Sequence, residues 1–251
     1  MEVTLDSIKA VRLFQSRKGY RFSIDALLLE DFISTKQHSR GVELGTGSGV
    51  ISLLLAKRLR NIKIFAVEIQ KSLARCAMRN VKLNKLDSKV EVLCEDIKNF
   101  RKVFPSGKFD FVFSNPPFRK AKSGRLSIDK ECAVARHEIN ITLHGLVSAA
   151  SYLLKNKGKF YLIYHPFRLV ELMGLLKGAG LEPKRMRFVY SRRVESCLPA
   201  GRSPTRTGEE AKMVLIEAVK GSGTWLKIEP PFYIYEKGSE YTAQMKRVYG
   251  E

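Results

Sequence analysis

The sequence predicts an α/β fold: a doubly wound, mostly parallel sheet with an antiparallel pair at its edge near the C-terminus. Three observations predict it. Residues 41–164 alternate short apolar runs with helix-length amphipathic stretches, the pattern of successive βαβ units. The run FDFVFSN (109–115) is almost unbroken in its apolar character, as a strand buried on both faces must be. Beyond residue 185 two strand-like runs follow one another with no helix between them.

Taken in order, GVEL (41–44) reads as the first core strand. A glycine turn and the helical run VISLLLAKRL (50–59) follow. IKIFAVE (62–68) is a strand, residues 70–84 a helix, KVEVLC (89–94) a strand and FDFVFSN the next. ITLHGLVSAASYLLK (141–155) carries apolar residues at helical spacing, and GKFYLIY (158–164) returns to strand. A helix near 167–178 precedes RMRFVYS (185–191) and AKMVLIEAV (211–219), joined by a polar, glycine- and proline-bearing loop. These two form the expected antiparallel pair. PPFYIYEKGSEYT (230–242) is aromatic and turn-rich, and a short helix closes the chain. No internal repeat or long linker divides residues 1–251, so one domain is expected, with a core over 41–220 and an extension over 221–251.

Composition narrows the function. With 44% hydrophobic residues in 251, the chain suits one packed core. It holds no run of roughly 20 apolar residues and no basic-then-apolar leader, so a cytoplasmic protein without a membrane partner is expected. Cys76, Cys94, Cys132 and Cys197 form no CxxC pair, and a set of about four metal ligands cannot be assembled; reduced thiols and no metal are expected. Forty-five Lys and Arg against 25 Asp and Glu leave +20, a surplus suited to a polyanionic partner.

The turn after the first core strand reads Glu43-Leu44-Gly45-Thr46-Gly47-Ser48-Gly49. Glycines there let the backbone approach a ligand at a helix start. The dinucleotide pattern GxGxxG would need a small residue at Val50, so a pyrophosphate is not signalled. Glu43 would repel one, but suits a cofactor carrying an ammonium and a sulfonium. Glu68, ending the second core strand roughly 20 residues on, can accept ribose hydroxyls. Asp96, just past the third, can reach an adenine amino group. Three acids at three consecutive strand ends mark the ligand crevice of an open α/β sheet.

Asn115-Pro116-Pro117-Phe118 follows the buried fourth core strand directly. An exocyclic amino group is a poor nucleophile because its lone pair is delocalised into the ring. Two acceptors for its hydrogens turn the lone pair toward a methyl donor, and the Asn115 side-chain oxygen and Pro116 carbonyl can supply them. The prolines fix φ and preorganise the backbone. Phe118 offers a face for an extruded base. Arg119, Lys120, Lys122 and Arg125 follow in a basic loop suited to phosphate contacts on a nucleic acid. Arg192, Arg193, Arg202 and Arg206 are further candidates for such contacts.

With these residues in view, the chain resembles the Rossmann-like class I methyltransferases that use S-adenosyl-L-methionine, of the amino-methylating kind marked by [DNS]PP[FYW]. More closely, it resembles the bacterial tRNA(Val) adenine N6-methyltransferase family. The likeness extends to GYRFSIDALLL (19–29), VELGTGSGVISLLLAKR, AVEIQ, SNPPF, Ala135-Arg136-His137-Glu138, Pro230-Pro231-Phe232 and Glu240-Tyr241-Thr242. That resemblance implies N6-methylation of the adenine 3′ of the anticodon in a valine tRNA. It implies that residues 1–40 cover the cofactor, with Tyr20, Phe22 and Asp25 over its methionine end. Glu43, Gly45, Gly47, Glu68, Asp96 and Asn115 would bind the cofactor, and residues 115–118 the target base. Many members carry tyrosine where Phe118 stands. The residues alone leave open an adenine in rRNA or DNA, a release-factor glutamine, or a catalytically silent RNA-binding relative.

Overall fold

The computed structural model describes residues 3–16, 23–116, 142–192, 210–236 and 238–251. Its centre is a sheet of nine strands among the described residues: β3 (Arg40–Leu44), β4 (Lys63–Glu68), β5 (Val90–Cys94), β6 (Phe109–Ser114), β7 (Leu154–Tyr164), β8 (Leu181–Arg192), β9 (Met213–Lys220), β10 (Lys227–Ile228) and β11 (Phe232–Tyr235). They lie in the order β10-β8-β9-β7-β6-β3-β4-β5, with β11 also pairing β8. The run β7-β6-β3-β4-β5 is parallel, and β9 is antiparallel to both β7 and β8. The expected antiparallel pair is therefore present. The structure adds β10 and β11 outside it, both parallel to β8.

Side chains alternate across the sheet as the two-residue period requires. Phe111, Phe113, Tyr161 and Ile163 pack on one face against α1 (Ile24–Phe32), α2 (Val50–Arg58), α3 (Lys71–Leu83) and α7 (Ala243–Tyr249). Val112, Phe160, Leu162 and Tyr164 pack on the other against α4 (Phe100–Val103), α5 (Leu143–Leu153) and α6 (Leu169–Gly178). Both faces are covered, which is why FDFVFS is almost unbroken in its apolar character, Asp110 pairing with Lys155 at 2.8 Å. Gly41 is needed for this layering: a Cβ there would meet the Phe111 ring at 2.3 Å.

Some boundaries differ from those the sequence predicts. β7 begins at Leu154, immediately after α5, because Leu154 already pairs with Phe109 before the register shifts to Lys159 opposite Phe111. β8 starts at Leu181, since the backbone of residues 181–183 continues the ladder to β9. The stretch before residue 40 holds a hairpin, β1 (Val3–Ile8) and β2 (Val11–Ser16), followed by α1. The hairpin is fastened to α3 by Asn80 and Asn84, one helical turn apart. Asn80 accepts from the Phe14 N–H at 2.7 Å and donates to the Phe14 carbonyl at 3.0 Å; Asn84 does the same for Arg12 at 3.0 and 2.7 Å. No helix among the described residues is long and apolar enough to cross a membrane.

Candidate active site

The chain runs from β3 outward to β4 and β5, then returns to place β6 on the other side of β3. The helix after β3 covers one face of the sheet and α5, after β6, covers the other. A crevice must open between the carboxyl ends of β3 and β6, where open α/β sheets hold ligands. A cleft lies there, lined by Ala26, Glu43, Gly45, Thr46, Ser48, Val50, Ile51 and Asn115. Residues 70 positions apart in sequence meet because Ser114 Oγ, fully buried, donates to the Leu44 carbonyl at 2.6 Å.

The glycine turn is shaped by hydrogen bonds. The N–H groups of Gly45 and Thr46 donate to the Val67 carbonyl at 3.0 and 2.9 Å, and Gly49 donates to Thr46. Gly45 has φ +81°, and a Cβ there would project into open space. Gly49, at φ +89°, caps α2 in the left-handed region. Asn80 also donates to the Ser48 carbonyl at 2.9 Å, so one buried amide links the N-terminal hairpin to this turn.

Glu43 is buried and accepts from the hydroxyls of Thr46 and Ser52, each at 2.5 Å. Burial pushes its carboxyl up to about 7; the two hydroxyls oppose that rise and the nearby Glu68 adds to it. Glu68, also buried, accepts from the Gly47 and Gln70 N–H groups at 2.8 Å each, and desolvation raises its carboxyl above the usual range. Asp96, half-buried at the end of β5, accepts from the Lys98 N–H at 2.9 Å and caps a short 3₁₀ turn. Asp25 opens α1 beside Ala26. Burial raises its carboxyl, offset by a Ser23 hydrogen bond and, last among the offsetting contributions, by the charge of His165 at the end of β7.

Of the residues singled out in the sequence, Glu43, Gly45 and Asn115 come together in one cleft. Glu68 and Asp96 stand at the ends of β4 and β5 along the same edge, and the Gly47 N–H is turned toward Glu68. Tyr20, Phe22, Pro117, Phe118, Arg119, Lys120, Lys122 and Arg125 lie outside the described residues. Sequence reasoning missed Thr46, Ser48 and Ser52, whose hydroxyls sit in or beside the turn. Their presence inside GTGSGVIS was the available signal. The motif Glu240-Tyr241-Thr242 proves architectural: Thr242 caps α7, accepting from Met245 N–H at 3.1 Å, and Tyr241 stacks between Tyr235 and Tyr249.

The cleft suits a cofactor with positive groups. Ser48 Oγ is buried and has no hydrogen-bond partner among the described residues, although a buried hydroxyl normally has one. The open space at Gly45 and the buried carboxyl of Glu43 adjoin it.

Residues 23–173 match the family model described as Methyltransferase small domain. A protein of Porphyromonas gingivalis (strain W83), named tRNA1(Val) (adenine(37)-N6)-methyltransferase, is 31% identical over 180 residues, covering 68% of this chain and 69% of the relative. A Bacteroides fragilis (strain NCTC 9343) protein of the same name is 24% identical over 90% of this chain and 96% of the relative. Among solved structures, a predicted O-methyltransferase from Agrobacterium tumefaciens has a TM-score of 0.68 at 22% identity, covering 90% of this chain and 95% of that one. Geranyl diphosphate C-methyltransferase from Streptomyces coelicolor, in complex with S-adenosyl-L-homocysteine, has a TM-score of 0.52 at 16% identity, covering 78% and 76%. These structural likenesses show the class I methyltransferase fold. Its matched core and its similarity along most of its length show that the chain belongs to the methyltransferase small-domain family, with the tRNA1(Val) (adenine(37)-N6)-methyltransferases.

Proposed function

We propose that this protein transfers a methyl group from S-adenosyl-L-methionine to N6 of an adenine in tRNA, the adenine 3′ of the anticodon of a valine tRNA, in the cytoplasm. The observation that carries the reading is the meeting of Glu43, Gly45 and Asn115 in one cleft at the switch point between β3 and β6. Glu43, the Ser48 hydroxyl and the open backbone at Gly45 would hold the cofactor, with Glu68 and Asp96 on its nucleoside side. When bound, the cofactor supplies an electrophilic methyl group.

The chain's own residues then make the amine reactive. Asn115 Oδ1 and the Pro116 carbonyl accept the two N6 hydrogens, drawing the lone pair out of conjugation. Asn115 is half-buried and Pro116 buried, so these acceptors are worth more than in open water. Pro117 and Phe118, outside the described residues, would stiffen the backbone and stack the base. No strong general base is required, because the N6 proton becomes acidic once the nitrogen is alkylated. The test is transfer of labelled methyl to total bacterial tRNA followed by nucleoside analysis. Labelled N6-methyladenosine is the expected product. Label in rRNA or DNA alone would discard the tRNA assignment, and no label in any nucleic acid would leave a silent RNA-binding relative.

A further inference from the structure

β7 lies next to β6 in the sheet and rises further. Ser114 pairs with Leu162, so His165 stands two residues beyond the level of Asn115, about 6–7 Å higher and one strand away. α1 packs against β7, so the two elements border this side of the site together. Past His165 the chain turns through Pro166, and the Phe167 ring stacks on the His165 ring with centroids 5.2 Å apart and planes 28° apart. Phe167 is nevertheless 73% exposed. One of its faces is held by a neighbouring ring while much of it lies open to solvent, an arrangement the core does not require. Continuing the β7–β9 register (Tyr164 opposite Val214) brings exposed Lys212 level with this turn.

From this geometry we infer that Phe167, held against His165, is a stacking platform for the nucleobase next to the target adenine, with Lys212 meeting the adjoining phosphate. A target base drawn into the cleft leaves its neighbour unstacked at the rim, where an aromatic face replaces the lost partner. The +20 charge of the chain favours a polyanion at such a surface over an apolar protein partner. The inference rests on the proposed RNA substrate and adds a residue that positions it.

The test uses the full-length protein and two anticodon stem-loop RNAs, with 2-aminopurine on the 5′ or the 3′ side of the target adenine. Wild-type protein is expected to quench one probe on binding. Phe167→Ala should abolish that quench and weaken RNA binding on the order of 5- to 100-fold. Phe167→Trp should restore both, and cofactor affinity should stay at the wild-type value. Equal fluorescence of both probes with wild type and Phe167→Ala would overturn the platform, as would failure of tryptophan to rescue. Methyl transfer to the unmodified stem-loop is measured in parallel. Its absence with the quench retained would overturn the proposed activity and leave the platform standing.

Discussion

Glu43 is a carboxyl held among hydroxyls inside a protein core, and its ionisation is coupled to what the cleft contains. Burial raises it from 4.5 to about 7, so the stability its protonated form confers is complete below pH 4.5 and is lost as pH rises through 7. The loss amounts to about 3 kcal/mol. Urea unfolding of the cofactor-free protein should therefore show a lower midpoint at pH 8 than at pH 5, and Glu43→Gln should flatten most of that difference. A cationic cofactor favours the ionised form. Its affinity for wild type relative to Glu43→Gln should accordingly increase as pH passes 7, measured by calorimetry across that window. At the neighbouring strand end, Asn115→Ala should lower kcat by on the order of 10²–10³-fold, the scale for losing one preorganised polar contact to the reacting group. RNA retained on a filter should stay at the wild-type level in that variant.

At the scale of elements, the site depends on how the N-terminal hairpin and the glycine turn are joined. Asn80 is wholly buried, and its amide serves Phe14 in β2, 66 residues away, and Ser48 in the turn, 32 residues away. Asn80→Ala should cost about 2–4 kcal/mol, because three backbone groups lose a partner at once. Hydrogen exchange at the Phe14 amide should accelerate by more than at Arg12, whose partner Asn84 remains. In the sheet, Gly41→Ala should destabilise by about 1–3 kcal/mol through overpacking on Phe111, read as a lowered Tm.

For the molecule as a whole, two charge arrangements act at different ranges. Arg185 in β8 pairs with Glu217 and Glu229 at 3.4 and 3.1 Å, donates to the Phe32 carbonyl at 2.6 Å and lies 4.1 Å over the Phe32 ring. It thereby fixes the end of α1, whose beginning borders the cleft, to the antiparallel half of the sheet. The long-range term is the net +20, which attracts a polyanion such as the proposed RNA substrate. Reversing charge at Lys120 and Lys122 should weaken RNA binding and lower the log–log salt slope by at least about one per lysine. An unchanged slope would remove this loop from the RNA interface.

The order of the core strands β3 to β9 and of the main helices between them, and the antiparallel pair, were legible in the sequence, as were Glu43, Gly45 and Asn115 as candidates that the fold then places in one cleft. Those are properties of short windows: side-chain period, glycine spacing, and a tetrapeptide whose acceptors lie in adjacent residues. The sequence also determined the net charge, which no folding alters. Tertiary packing alone sets the suppressed ionisation of Glu43, the Ser48 hydroxyl left without a partner among the described residues, the Asn80 clasp and the exposed Phe167 against His165. Burial and partnership of a polar or aromatic group depend on which distant segments pack around it. Asn80 reads as a polar helix residue until β2 lies on α3, and GTGSG reads as glycines with spacers until the Val67 carbonyl takes up the Gly45 and Thr46 amides and Glu43 the Thr46 hydroxyl.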